Sequence, residues 1–326
     1  MTMPISTTGA KMKIGVIGMP FSKGQPKAGT QLAPKLIRQA GMLEKMREAG
    51  NDVIDHGDLA VVDIASDEPI KNVSRPKNVG AANKLLCENV EKVVRQKQGC
   101  LVLGGDHSIA MGSIQGHIQA EPDLVVLWVD AHADINTPLT SPSGNVHGMP
   151  LSFIVKELEP YMPTIPGFEW AKPCLAAKDI AYIGLRDVDG GEKAIIDKLG
   201  IHSFSMHEVD KFGVAAVVER ALNAMDPSGI RPIHVSFDVD AMDPDIIPST
   251  GTAVPGGLSL REAYYIAEEV AATGRLSVLD CVEVNALLGS KEEQQRTVKN
   301  TVEVMSRFYG SKRCGNIPRG YTLPEP

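Results

Sequence analysis

The chain lacks the features of a disulfide-stabilised or membrane-spanning protein. Its five cysteines are scattered among 326 residues, and no two have the CxxC spacing of a redox or zinc motif. No run of about 18 apolar residues occurs, which argues against a membrane span. The N-terminus has no basic region followed by an apolar stretch and a cleavage site. These absences predict a cytoplasmic protein, with a mitochondrial presequence as the alternative.

The chain also has no block of basic residues. Lysine and arginine number 33 against 40 aspartates and glutamates, which gives a formal net charge of −7. A nucleic-acid-binding surface ordinarily needs concentrated positive charge. We therefore expect no nucleic-acid partner and no membrane partner, and we look for a small-molecule substrate instead.

Short apolar runs alternate with helical patterns along most of the chain. This alternation predicts an α/β fold in which helices cover both faces of a mostly parallel sheet. No long low-complexity linker and no repeat of fixed period divides the sequence. We expect one domain over residues 1–326, with a short N-terminal extension (1–12) and an extended, Gly- and Pro-rich C-terminal tail (310–326).

Eight segments have the apolar character of strands, and three longer segments have clear helical patterns. The helices are predicted at 33–50, 83–97 and 259–274, and Ser259 followed by Glu262 has the spacing of a capping box. The predicted strands are 13–21, 52–57, 99–105, 123–130, 180–185, 201–206, 232–240 and 275–285.

Four predicted strands end in polar side chains that a purely structural role does not require. Ligands of open parallel sheets bind outside the carboxyl ends of the strands. Side chains two residues apart on an extended backbone share one face. We therefore expect these groups to converge on one crevice: Asp106 and His107; Asp130, His132 and Asp134; Asp238, Asp240 and Asp243; and Asp280, Glu283 and Asn285.

Such a cluster of carboxylates predicts bound metal. A single aspartate at a strand end is more often a turn or helix cap, so the prediction rests on the whole group. Crowded carboxylates repel one another unless a multivalent cation is present. Four aspartates and two histidines exceed the three protein ligands of one catalytic zinc, whereas an oxygen-rich set suits paired Mn²⁺ ions. Two divalent ions with a bridging hydroxide would leave the site negative, which favours a cationic substrate.

The motifs that carry these residues resemble the signatures of the ureohydrolase family. GGDHS, VDAHADIN, SGNVHG, SFDVDAMDP and EVN are similar to that family's motifs, and GLRDVDGGE and TGTAVPGG resemble its arginase branch. The resemblance implies a three-layer α/β/α arginase-type fold, two Mn²⁺ per subunit and a homotrimer. It implies arginine metabolism of the urea-cycle type, with hydrolysis of L-arginine to L-ornithine and urea by a metal-bridging hydroxide.

The resemblance also implies a ligand set. Asp130 and Asp238 would bridge the two ions, and each ion would have two further ligands of its own. The first ion would be held by His107, Asp130, Asp134 and Asp238, and the second by His132, Asp130, Asp238 and Asp240.

Roles in catalysis and substrate binding are implied in the same way. Asp134 would bind the hydroxide, His147 would act as a mobile proton shuttle of near-neutral pKa, and Glu283 would orient the guanidinium group. The substrate-binding residues would be Asn136, Ser143 and Asn145 for the α-carboxylate, Asp189 and Glu192 for the α-ammonium group, and Thr252 for positioning Glu283.

Three alternatives remain at this stage. An agmatinase or another guanidino-substrate amidinohydrolase would use the same metals but would not need the residues that bind an α-carboxylate. A metal-dependent deacetylase of related fold would have one zinc and a tandem-histidine pair, and the sequence contains no HH dipeptide. A non-catalytic homologue would ordinarily have lost ligands, whereas all six are present here.

Overall fold

The computed structural model describes residues 12–315 together with Thr322 and Pro324. Almost all of the expected N-terminal extension and the larger part of the expected C-terminal tail lie outside these described residues.

All eight predicted strands join one parallel sheet. Its strand order is β2-β1-β3-β8-β7-β4-β5-β6, and every neighbouring pair is parallel. Because the strands are parallel, their carboxyl ends lie at one edge of the sheet. The strands are Lys13–Gly18 (β1), Asp52–Asp58 (β2), Gly99–Leu103 (β3), Val125–Val129 (β4), Ile180–Leu185 (β5), His202–Ser205 (β6), Ile233–Asp238 (β7) and Leu276–Val282 (β8).

Helices cover both faces of the sheet, which confirms the three-layer α/β/α architecture. One hydrophobic core joins the sheet to α1, α2, α6, α7 and α8, and the other joins it to α3, α4 and α5. The central strands are buried on both sides, so β4 and β5 are apolar throughout. The helices are Ala33–Gln39 (α1), Met42–Glu48 (α2), Pro76–Arg95 (α3), Ala110–Ala120 (α4), Gly190–Leu199 (α5), Met206–Met225 (α6), Leu260–Ala272 (α7) and Lys291–Phe308 (α8).

The predicted helices differ from the observed ones mainly at their boundaries. The segment 33–50 is two helices, because Gly41 adopts a left-handed backbone with φ of 88°. Helix α3 begins at Pro76 rather than at residue 83, since proline suits the first turn of a helix. The capping box of α7 is confirmed: the backbone N–H of Ser259 donates to Glu262, and that of Glu262 donates to the serine hydroxyl. None of the helices in the described ranges is both long enough and apolar enough to cross a membrane.

Candidate metal centre and substrate cavity

The chain bends sharply after β4. We expected Asp130, His132 and Asp134 to alternate along an extended strand, but β4 ends at Val129 and Asp134 is left-handed, with φ of 50°. The Asp130 carboxylate accepts a hydrogen bond from the backbone N–H of His132 at 2.7 Å. An aspartate that binds the N–H two residues further on forms a turn in competition with the strand. The expectation of an extended backbone was therefore wrong, and the turn itself directs these side chains.

Similar turns follow the neighbouring strands. After β7, the backbone N–H of Asp240 donates to the Asp238 carboxylate at 2.8 Å. After β8, Glu283 adopts a left-handed backbone with φ of 64°. Left-handed backbone at a residue other than glycine costs about 1–3 kcal/mol and is concentrated at functional sites. Strands β4, β7 and β8 are adjacent in the sheet, so their turns meet at one edge.

His107 lies at the centre of the first carboxylate cluster. Its Nδ1 atom is 3.0 Å from Asp130 Oδ2, 3.0 Å from Asp134 Oδ2 and 3.2 Å from Asp238 Oδ2. All four residues are buried. These are the four residues that the resemblance assigns to the first ion.

His132 belongs to a second cluster that shares Asp130. Its Nδ1 atom is 3.4 Å from Asp130 Oδ1 and 3.2 Å from Asp240 Oδ2. The ligand atoms of His107, Asp130 and Asp238 lie within 4.8 Å of one another, and so do those of Asp130, His132 and Asp240. Asp130 thus directs one oxygen into each cluster, as a bridging ligand must. Asp238 belongs to the first cluster.

Burial and mutual repulsion perturb the carboxylates. Burial, with Asp240 and Asp130 nearby, raises the pKa of Asp238 well above its ordinary value. Burial and the charge of Asp130 raise the pKa of Asp134 to about 6. Burial also disfavours charge on Asp130, but its contacts with His107 and His132 outweigh this effect and hold its pKa below the usual range. These carboxylates can all be ionised only if positive charge is supplied between them.

The Nδ1 atom of His107 fits a metal site better than a site held together only by hydrogen bonds. His107 Nδ1 is buried without a hydrogen-bond partner, although three carboxylates surround it. A buried polar atom in this position costs stability unless something binds it. Carboxylate oxygens with a few imidazole nitrogens suit hard divalent ions. The residues present therefore fit the two-ion centre that the sequence predicts.

Two residues that support the ligands were not predicted. The Trp128 indole stacks on the His107 ring, with centroids 4.1 Å apart, and its Nε1–H donates to Asp130 Oδ2 at 2.9 Å. Ser236 Oγ lies 2.9 Å from His107 Nε2. A signal was available, because His234, Ser236 and Asp238 alternate along β7 and therefore share one face.

Glu283 and His147 form a pair beside the first cluster. The Glu283 Oε1 atom accepts the backbone N–H of His107 at 2.8 Å and lies 3.2 Å from His147 Nδ1. Burial disfavours the charged imidazole, but Glu283 outweighs burial and raises the pKa of His147 to about 9. The near-neutral pKa that we expected was therefore wrong, since it took no account of a partner carboxylate. At neutral pH this imidazole carries a proton that it can donate.

A cavity of about 210 Å³ opens next to the metal centre. It brings together most of the residues for which the resemblance implies substrate binding or catalysis. Those lining it are Asp134, Asn136, Ser143, His147, Asp189, Glu192 and Thr252, whereas Glu283 and Asn145 are not among its lining residues. The metal-ligand candidates His132 and Asp238 line it as well. The exposed carboxylate of Asp187 also lines it, 3.7 Å from His132 Nε2.

The substrate-binding residues nearest α5 are linked to one another. Glu192 and Asp189 form the capping box of that helix, and Glu192 also accepts the backbone N–H of Ile135 at 3.1 Å. The Asn136 amide donates to Asp189 at 2.8 Å. Burial and the charge of Asp134 raise the pKa of Glu192 to about 7. Glu192 therefore positions the loop after β4, in addition to the role implied for it at the α-ammonium group.

Thr252, Ser143 and Asn145 complete the implied set. The Thr252 hydroxyl donates to Asp240 Oδ2 at 2.8 Å, so its direct contact is with a ligand of the second cluster rather than with Glu283. Ser143 is exposed, and its hydroxyl accepts the backbone N–H of Asn145 at 3.2 Å.

A larger cavity, of about 500 Å³, lies elsewhere on the molecule. Its lining includes Asp123, Lys156, Asp179 and Arg231, and these residues precede strands or lie in loops away from the two clusters. Arg231 is already paired with Asp123 and Asp179. Size alone therefore does not identify the functional site, and the carboxylate–imidazole chemistry does.

Fold and site together define a class of protein: a parallel α/β protein with a carboxylate–imidazole centre for divalent ions at the carboxyl edge of its sheet. Comparison with known proteins identifies the family. A model of the arginase family matches residues 12–310, and the chain belongs to that family.

Individual relatives agree with this assignment. Human Arginase-1 is 53% identical over 304 residues, covering 93% of this chain and 94% of the relative. The structure of Bacillus caldovelox arginase superposes with a TM-score of 0.85 at 34% identity, covering 93% of this chain and 99% of that one. The Entamoeba histolytica arginase, solved in complex with L-ornithine, has a TM-score of 0.79 at 32% identity, covering 92% of this chain and 100% of that one.

Proposed function

We propose that the protein hydrolyses L-arginine to L-ornithine and urea at this centre, using two Mn²⁺ ions per chain. The observation that carries the proposal is Asp130, which presents one carboxylate oxygen to each of two histidine-containing clusters. Two ions with a shared carboxylate are a common arrangement in hydrolases. The arginase family membership and the ornithine complex of a relative support the substrate.

The ligand chemistry supports manganese as the metal. His107 and Asp134 would complete the site of one ion and His132 and Asp240 that of the other, with Asp130 and Asp238 on both. When bound, such a pair of ions supplies a water whose pKa is lowered toward neutrality. The chain's own contribution is to hold the carboxylates in place through backbone N–H groups, as those of His132 and Asp240 do.

The charge of the cavity supports a cationic substrate. Asp187 and Asp189 add acidic groups to the cavity lining, and Glu283 lies behind it in contact with His147. Glu283 is buried, so its carboxylate is suited to a charge-assisted hydrogen bond with a guanidinium group. Asp189 and the Ser143 loop lie at the cavity for the opposite end of the substrate.

Proton delivery is the role proposed for His147. It is protonated at neutral pH because of its pairing with Glu283, and it lines the cavity. Binding of a guanidinium group to Glu283 would weaken that pairing, so the imidazolium would release its proton more readily to the departing amine.

The test is a urea-release assay on Mn²⁺-loaded protein with L-arginine and agmatine. Agmatine lacks the α-carboxylate, so we expect arginine to be strongly preferred. Ser143→Ala should raise KM for arginine and leave agmatine hydrolysis unchanged. Ser141→Ala is the matched control, because Ser141 lines the same cavity without an implied substrate contact. Urea from agmatine alone would overturn the choice of substrate while leaving the metal site intact.

Two further expectations are proposals of the same kind. A homotrimer is supported by the family resemblance, and light scattering on the full chain tests it. A cytoplasmic location is supported by five cysteines that form no disulfide, and fractionation of the source cells tests it.

A further inference from the structure

A line of buried polar side chains runs from the metal centre along the face of the sheet beneath α4. Ser236 Oγ lies 2.9 Å from His107 Nε2 and donates to Asp280 Oδ2 at 3.3 Å. His234 Nε2 lies 3.0 Å from the same Asp280 oxygen. The register of the sheet explains the contact between Ser236 and Asp280, because the two residues are direct partners on β7 and β8. All four side chains are fully buried in an otherwise apolar layer.

The line continues to the opposite edge of the sheet. His234 Nδ1 lies 3.1 Å from His117 Nδ1 on α4, and His117 Nε2 lies 3.0 Å from Glu121 Oε2. Glu121 also accepts the Ser277 hydroxyl at 2.7 Å. Its side chain is 29% exposed, so the line ends at solvent.

The available hydrogens fix the direction of the first part of this line. Ser236 has one hydroxyl hydrogen, which it donates to Asp280 Oδ2. Its contact with His107 Nε2 must therefore use the hydrogen of that ring nitrogen.

We propose that Asp280 is a positioning residue for the metal centre. Acting through Ser236, it fixes His107 with Nε2–H donating and Nδ1 free for the metal, while His234 contacts the same Asp280 oxygen from the other side. Metal-binding histidines commonly donate their other ring N–H to a carboxylate, and loss of that partner weakens metal binding about 10–100-fold. Here the carboxylate acts through one intervening serine. The inference rests on the metal site of the proposed function.

The experiment measures Mn²⁺ affinity by titration calorimetry on full-length, metal-depleted protein. Asp280→Asn keeps the shape and can still accept at Oδ2, but it removes the charge. We expect the affinity of the site at His107 to fall about 10–100-fold, and that of the site at His132 to stay unchanged. Ser236→Ala should have a similar effect. The double variant should lose no more than either single variant, because both residues act through one line.

Asp226→Asn is the matched control. Asp226 is also a buried aspartate, but it is paired with Arg275 and has no link to His107. It should lower the urea midpoint of the metal-depleted protein and leave both Mn²⁺ affinities unchanged. Wild-type affinity in the Asp280→Asn and Ser236→Ala variants would overturn the inference. Failure of the wild-type protein to bind Mn²⁺ would instead overturn the proposed function.

Discussion

Replacing Asp130 by asparagine should remove more metal than replacing Asp240. Among the described residues, Asp130 belongs to both clusters, whereas Asp240 belongs to the one at His132. Both Asp130 oxygens also accept hydrogen bonds: Oδ1 from the backbone N–H of His132 at 2.7 Å, and Oδ2 from Trp128 Nε1 at 2.9 Å. An asparagine amide has one oxygen, so its NH₂ group must face one of these donors.

The magnitude follows from that conflict. A buried donor left without an acceptor lowers the free energy of unfolding by about 1–3 kcal/mol. This corresponds to roughly a 5–140-fold change in the unfolding equilibrium constant. The NH₂ group also cannot bind a cation. One ion therefore loses a ligand outright, and the other exchanges a carboxylate for a neutral amide oxygen. Asp240→Asn removes a carboxylate ligand from the cluster at His132 and leaves the cluster at His107 with all its ligands.

The assay is metal content by mass spectrometry after Mn²⁺ loading and dialysis, alongside the urea midpoint of each metal-free protein. We expect Asp240→Asn to retain the ion at His107, and Asp130→Asn to retain neither ion after the same dialysis. If Asp130→Asn keeps both ions at wild-type affinity, Asp130 is not a bridging ligand and the reasoning from its two oxygens fails.

Three further predictions concern the groups around the centre. His147→Asn should lower kcat about 100-fold or more without changing metal content, and loss of an ion would show that His147 is a ligand instead. Glu283→Gln should lower the pKa of His147 from about 9 toward or below its ordinary 6.5, followed by NMR titration of the metal-free protein; an unchanged pKa would contradict the pairing. Glu192 has a folded-state pKa raised to about 7 from 4.5, so its stabilising contribution is complete below about pH 4.5 and is lost as the pH rises through 7. Between these limits the unfolding free energy of the metal-free wild type should fall by roughly 2–3 kcal/mol more than that of Glu192→Gln, as measured by urea unfolding; parallel pH profiles would refute the assignment.

Local patterns in the sequence predicted the sheet well. The six inner strands were predicted because their apolar runs are mostly buried, and burial is what such a run requires. The edge strands β2 and β6 have no fully buried residue and are held by pairing with β1 and β5. Helix boundaries were predicted less well. Gly41 divides one predicted helix into two, because its left-handed backbone cannot be inferred from the spacing of apolar residues. Pro76 begins another helix before the segment in which the apolar pattern is clear.

The turns at the strand ends show the limit of periodicity. The sequence placed Asp130, His132 and Asp134 at two-residue spacing, which suits a strand equally well. The His132 N–H can donate either to the Asp130 carboxylate or to a carbonyl of a neighbouring strand. Which acceptor it uses depends on whether a neighbouring strand extends that far at this edge of the sheet. That competition is decided only when the strands are assembled.

The sequence by itself determined which chemistry is available: carboxylates and imidazoles at the ends of buried strands, in motifs that identify the family. The tertiary structure decided which of them meet. Glu283 pairs with His147 across 136 residues, and that contact moves an imidazole pKa from an expected near-neutral value to about 9. The register of β7 and β8 sets Ser236 beside Asp280 and so connects His107 to the buried contact between Asp280 and His234. Residue types are fixed along the chain, whereas charge–charge distances, burial and hydrogen-bond partners depend on contacts between distant segments, and these set pKa values and metal affinity.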